Sequence, residues 1–214
     1  MTRKIFLLEI LLTAIALATI AIAYRSLPAT IPIHWDLDGR PNGFGPPWTL
    51  FLLGPGLMAA IMLLTWLLPW LSPKNFQIEA FRTTFNQIMF LVFGLMSYIS
   101  ALMIWSGLGH TLDTGRAIVG GVCLLLALMG NVMGKVRRNF FIGIRTPWTL
   151  ANERVWIATH RFAGKIWVAA GLLGLALAVA GLPGWPLYIL LAGAFTPVLY
   201  SLIYYKQLQR RGEL

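Results

Sequence analysis

Six apolar runs decide what this chain can fold into. They lie near residues 5–24, 50–71, 86–108, 117–134, 166–182 and 185–205. An α-helix rises 1.5 Å per residue, so about 20 residues cross a hydrocarbon layer of ~30 Å. The fourth and fifth runs, at about 17 residues, are the shortest and could lie off the midplane. Lipid offers no partner to backbone N–H and C=O groups, so each run has to satisfy its own as a helix. The charged fraction agrees: 11% of the 214 residues are charged, against roughly 25% in a soluble domain. The predicted fold is an all-α integral membrane protein with six transmembrane helices. Leu182-Pro183-Gly184-Trp185 joins the last two as a tight hairpin.

The N-terminal run is long enough to span, and Leu27-Pro28-Ala29-Thr30 is a poor cleavage site, so a secretory signal peptide is disfavoured. The single cysteine, Cys123, can form no intrachain disulfide and no cysteine-based metal site. Three segments are expected. Residues 1–71 form a two-helix unit with an external loop over 25–48. Residues 72–116 carry the third helix, and residues 117–214 the last three helices with a basic loop over 135–165.

Lys and Arg set the orientation. Fourteen fall on one set of connections: Arg3, Lys4, Lys74, Arg82, seven between Lys135 and Lys165, Lys206, Arg210 and Arg211. Only Arg25, Arg40 and Arg116 fall on the other. The positive-inside bias places both termini in the cytoplasm. The net charge of +10 is then a topology signal and an attraction to anionic headgroups, and direct nucleic-acid binding is not invoked. Glu9, about 7.5 Å along the axis from Lys4, is expected near the cytoplasmic interface rather than deep in the bilayer.

Two loops carry chemistry. Outside, Ile31-Pro32-Ile33-His34-Trp35-Asp36-Leu37-Asp38 alternates with period two, which suggests one short strand. Asp38-Gly39 and Asn42-Gly43 are turn signals. The loop is expected to be ordered, with His34, Trp35, Asp36, Asp38, Arg40 and Asn42 as candidate contact residues. An extended segment would point His34, Asp36 and Asp38 to one face, and with His110 they could hold a divalent metal. No spacing there is diagnostic, and no cofactor is expected. Within the second run Pro55 lacks a donor, so that helix has to bend or widen.

Inside, the stretch from Gly134 to Lys165 holds seven cations and one acid. Thr146 before Pro147 reads as an N-cap followed by proline at the first helical position. Trp148, Ala151, Val155, Ala158 and Phe162 follow at helical spacing, with Asn152, Glu153, Arg154, His160 and Arg161 off that stripe. The pattern predicts a basic amphipathic helix lying on the inner surface between the fourth and fifth spans. Candidate partner contacts are Asn131, Arg137, Arg138, Asn139, Arg145, Thr146, Trp148, Asn152, Glu153, Arg154, Trp156, His160 and Arg161, against the alternative that they anchor the loop to lipid. Pro47-Trp48-Thr49-Leu50 recurs as Pro147-Trp148-Thr149-Leu150, a weak hint of inverted halves.

The run Asn131-Val132-Met133-Gly134-Lys135, then Asn139 through Leu150, Asn152-Glu153, Val155-Trp156 and Thr159-His160-Arg161 resembles the signature of the SdpI family of bacterial multispanning membrane proteins. Ile31-Pro32, His34-Trp35 and Gly39-Arg40-Pro41-Asn42 resemble the uncharacterised domain often found N-terminal to it. Together the likenesses cover roughly residues 15–60 and 120–190. The resemblance implies immunity to a secreted peptide toxin and capture of a small soluble transcriptional repressor at the membrane. It implies a non-enzyme whose partners are the bilayer, the toxin and that repressor. Two competing readings are a membrane-embedded metal-dependent enzyme built on the His/Asp cluster and a small transporter. A transporter would carry charge deep in several helices, and only Glu9 approaches that.

Overall fold

The computed structural model describes residues 3–36, 38–71 and 78–214. Lys74, the Ser72-Pro73 turn, residues 76 and 77, and Leu37 fall outside the described residues. Helix α1 runs Arg3–Ala23, followed by a 3-10 turn over Tyr24–Ser26. Strands β1 (Ile31–Trp35) and β2 (Pro41–Gly45) come next, then α2 (Thr49–Phe51), a π-turn over Leu52–Gly56 and α3 (Leu57–Leu71). A second 3-10 turn, Ile78–Phe81, leads into α4 (Arg82–Gly107). After it come α5 (Thr114–Met133), α6 (Pro147–Ala151), α7 (Glu153–Val179) and α8 (Trp185–Arg210). Six helical stretches are long and apolar enough to cross a membrane: Lys4–Ser26, Thr49–Leu68, Ile78–Gly107, Thr114–Met133, Glu153–Val179 and Trp185–Arg210. The chain is a multi-pass membrane protein. Leu7, Leu11, Leu63, Leu172 and Leu199 all stand exposed, an apolar belt that only lipid can cover.

The second span widens where expected. Pro55 cannot donate, and the backbone adjusts through the π-turn Leu52–Gly56 instead of breaking. The loop over 25–48 holds more structure than the single strand the alternation suggests. β1 and β2 pair antiparallel, Ile31 opposite Gly45 and Trp35 opposite Pro41, with irregular register around His34. Pro41-Asn42-Gly43-Phe44-Gly45 has no strand signature of its own, and its partner β1 imposes the pairing. Ile31 is fully buried with Ile20, Leu50, Met103 and Ile104, so the hairpin is packed onto the ends of α1 and α4.

Glu9 is covered by protein, which its nearness to Lys4 in sequence does not foretell. It lies on the same face of α1 as the buried Ala16 and Ile20, is itself fully buried, and neither carboxyl oxygen has a hydrogen-bond partner. The position three turns below Ile20, and not proximity to Lys4, sets its surroundings.

Helices α5 and α7 touch backbone to backbone. A methyl added to Gly130 would lie 2.7 Å from Val168 N and 2.8 Å from Gly164 O. One added to Gly171 would lie 2.5 Å from Ala127 N and 2.6 Å from Cys123 O. Small residues are what permit this approach in lipid. By contrast α4 and α5 diverge around an apolar groove of about 630 Å³, lined in part by Phe90, Gly94, Leu124 and Leu128. A methyl on Gly94 would meet nothing within 4 Å. Gly94→Ala should therefore raise stability by about 0.5–1 kcal/mol, the helix-propensity gain alone. Gly171→Ala, forced against backbone, should cost roughly 1–3 kcal/mol. Unfolding of the purified protein in mild detergent, followed by circular dichroism, checks both signs.

Candidate functional site

The connection between α5 and α7 is built as a set of interlocking hydrogen bonds. Val136, just past the end of α5, is buried, and its carbonyl accepts from Trp156 Nε1 at 2.8 Å. Asn139 is fully buried and organises the turn after it. Its Oδ1 accepts from the N–H of Phe141 and of Ile142, both at 2.7 Å. Its Nδ2 donates to the carbonyls of Arg137 at 2.8 Å and Ile142 at 3.0 Å. One side chain thus satisfies four backbone groups, which a short-armed amide in a turn is suited to do.

His160 closes the loop against α7. Its Nδ1 bonds the Trp156 carbonyl one turn back at 2.8 Å, and its Nε2 accepts from the Ile144 N–H at 3.0 Å. A carbonyl only accepts and an amide N–H only donates, so the ring is the neutral tautomer with its proton on Nδ1. The imidazole stacks on the Trp156 ring, centroids 4.0 Å apart. Gly143, at φ +110°, leaves room for the ring; a side chain there would run into His160 Nε2.

The next turn is capped on both sides. Thr146 and Thr149 form a reciprocal capping box, Pro147 opens α6, and Thr149 Oγ1 also donates to the Ile144 carbonyl at 2.8 Å. Asn152 breaks the helix with extended φ/ψ and its side chain caps α7, accepting from Val155 N at 3.1 Å. Trp148 Nε1 donates to Ser201 Oγ on α8, and Arg138 donates to the Leu150 carbonyl at 3.2 Å.

This corrects the expected inner amphipathic helix. Residues 147–151 form a short helix, and everything from Glu153 to Val179 is one helix of 27 residues. Of the periodic face only Val155 is buried, Ala151 is exposed, and Trp148, Ala158 and Phe162 are half-buried. The fully covered stripe of α7 is instead Val155, Trp156, Thr159, His160 and Ala163. Trp156 and His160 are accordingly not membrane anchors, since packing and hydrogen bonds consume both.

The candidates therefore separate into two groups. Asn139, Thr146, Asn152, Trp156 and His160, with the partly buried Arg138 and Trp148, hold the loop. Asn131, Arg137, Arg145, Glu153, Arg154 and Arg161 remain exposed. Among these, Arg145 donates to the Phe140 carbonyl, and Arg154 pairs with Glu213 at 2.8 Å, bringing the C-terminal end against the start of α7. Ser201 and Gly143 complete the arrangement. Gly143 is legible as a turn residue, whereas Ser201, distant in sequence and alone in an apolar run, gives no signal.

At the opposite end the hairpin tip is equally built. Asp36 Oδ1 accepts from the N–H of Asp38 at 3.0 Å and of Arg40 at 2.8 Å, an Asx-type turn. His34 Nδ1 bonds Asn42 Oδ1 across the strands at 2.5 Å. Trp35 packs with the buried Ile31 cluster, and Arg40 and Asp38 are exposed. A side chain on Gly115 would collide with the Gly39 backbone, and one on Gly39 with Asp113, so the hairpin tip touches the start of α5. His110 stacks on Trp105 with centroids 4.1 Å apart. These pairings do not bring His34, Asp36, Asp38 and His110 together. Among the described residues no group of three or more His, Cys, Asp or Glu side chains could hold a metal ion.

The SdpI/YfhL protein family profile matches residues 135–205, and the profile of a domain of unknown function (DUF1648) matches residues 11–59. Both matches agree with the likenesses read from the sequence, the first displaced toward the C-terminus. Immunity protein SdpI of Bacillus subtilis (strain 168) is 30% identical over 167 residues, 78% of this chain and 78% of that protein. No solved structure matches the chain.

His160→Phe keeps the ring stack and removes the acceptor facing Ile144. It should cost about 1–3 kcal/mol, the penalty of an orphaned buried N–H. Amide exchange at Ile144 should quicken while that at Phe141 and Ile142 stays protected. Asn139→Ala should have the opposite pattern, exposing Phe141 and Ile142 first.

Proposed function

The chain belongs to the SdpI/YfhL protein family, and from that membership we propose that it is a bacterial membrane protein giving immunity to a secreted antimicrobial peptide. The observation that carries this reading is the 30% identity to an immunity protein across 78% of both chains. A non-enzymatic role goes with it. In the proposed orientation both termini and the 134–165 loop face the cytoplasm, and the β-hairpin faces outward, on the ground of the fourteen-to-three division of Lys and Arg.

In this reading the outer hairpin, with Phe44 and Trp48 exposed beside it, meets the peptide. The inner surface left by the folded loop, Arg137, Arg145, Arg154 and Arg161, offers a basic face to a soluble partner such as a repressor. The rigid frame beneath those arginines supports such a role, because a preorganised surface loses little entropy on binding.

A killing assay tests the reading. A sensitive bacterium expressing the chain should survive a secreted membrane-active peptide toxin about tenfold better than one without it, roughly a 1.4 kcal/mol effect if read as an equilibrium. Loss of protection in His34→Ala alone would assign the working surface to the hairpin, and loss in Arg145→Ala alone to the inner loop. An inserted, unmutated chain that protects against no such peptide would overturn the proposal. Orientation has its own check, since Cys123 is fully buried. Phe44→Cys should react with an impermeant maleimide in intact cells, and Glu213→Cys only after permeabilisation.

A further inference from the structure

The positive-inside rule accounts for how many cations gather at the inner end, but not for where four of them point. Arg82 opens α4, Lys135 and Arg137 follow α5, and Arg161 lies two turns into α7. These three elements converge on one cavity of about 430 Å³. Its single acid, Glu79, is already engaged with Arg82 at 2.6 Å. Glu213, which lies against the start of α7, is engaged with Arg154. Among the described residues, no carboxylate pairs with Lys135, Arg137 or Arg161. Three uncompensated positive charges in a concave site repel one another and focus the field outward.

The remaining walls suit a phosphate that carries carbon. Thr83 and Thr84, in the first turn of α4, line the cavity, and no side chain caps that helix N-terminus. Phe81, Val136 and Ile157 form an apolar flank. The volume is several times what a bare phosphate fills. The cavity opens where α4 begins and α5 ends, at the ends of two spanning helices, and in the proposed orientation that end meets the cytoplasmic headgroups.

We propose that this cavity binds the phosphodiester headgroup of an anionic phospholipid, with the guanidinium forks of Arg137 and Arg161 and the Lys135 ammonium as its donors. This is independent of the immunity reading and is measured on the purified full-length protein. Short-chain phosphatidylglycerol should bind the detergent-solubilised protein about tenfold more tightly than short-chain phosphatidylcholine, because only the net anionic headgroup is attracted to the three cations without bringing a cation of its own. The pair Lys135→Gln/Arg161→Gln should lose about tenfold, and so should Arg137→Gln/Arg161→Gln. Lys206→Gln/Arg210→Gln removes the same charge from the same end outside the cavity and should stay within about twofold. All substituted side chains are exposed, and matching melting curves confirm folding.

Equal loss in the cavity and control pairs would reduce the effect to diffuse charge and overturn the site. Equal binding of the two lipids would also overturn it. Displacement of phosphatidylglycerol by an equal concentration of inorganic phosphate would make the site one for the free ion. Displacement by an acidic peptide at lower concentration than by the lipid itself would give the cavity to a protein partner. Either result removes the lipid proposal.

Discussion

Two apolar helices gain nothing from hydrophobicity when they meet in lipid, because the tails are as apolar as the side chains. The contact between α5 and α7 therefore depends on dispersion at short range, and short range depends on Gly130, Gly164 and Gly171. At those positions one helix backbone sits against the other. The rest of the inner half is referred to that contact. Once α5 and α7 are locked, the residues leaving α5 and those entering α7 have fixed places. The turn between them can then be closed by single side chains such as Asn139 and His160. A looser pair would leave the Val136 carbonyl beyond the reach of Trp156.

Each end of the bundle is finished in a different chemical idiom. At the hairpin end, pairing between β1 and β2 satisfies backbone, and Asp36 turns the tip. At the other end, side chains do nearly all of it, through Asn139, Thr146, Thr149, Asn152 and His160. The repeated Pro-Trp-Thr-Leu marks both. In each copy the threonine hydroxyl donates three residues back, Thr49 to Pro46 at 2.7 Å and Thr149 to Thr146 at 3.0 Å, as a helix begins. The repetition thus corresponds to a shared local solution for starting a helix at a membrane surface.

Hydropathy alone was enough to find the six spans, because lipid imposes a length and an apolar composition that few other contexts produce. The proline at position 55 likewise announced its own distortion. The spacing over 148–162 points to a helix but to the wrong face of it. The covered stripe is Val155, Trp156, Thr159, His160 and Ala163, which includes polar residues that apolar periodicity leaves out. Strand β2 escaped because a proline- and glycine-rich segment becomes a strand only when another offers its edge. Glu9 escaped for a related reason: its sequence distance from Lys4 is short, but helical rotation points it at the packed face. The cavity at Arg82, Lys135, Arg137 and Arg161 joins residues up to 79 positions apart, and composition could report only that the inner end is basic.

The unbroken length of α7 has a mechanical meaning. Twenty-seven residues make a rod of about 40 Å, longer than the ~30 Å of hydrocarbon it crosses. Its far end stops at the turn beneath the hairpin, where Gly181 adjoins Arg116. Its near end carries Trp156, His160 and Arg161. With no proline or bulge between them, the two ends are joined by one continuous hydrogen-bonded rod with no joint at which it could kink, so neither end can tilt without the other.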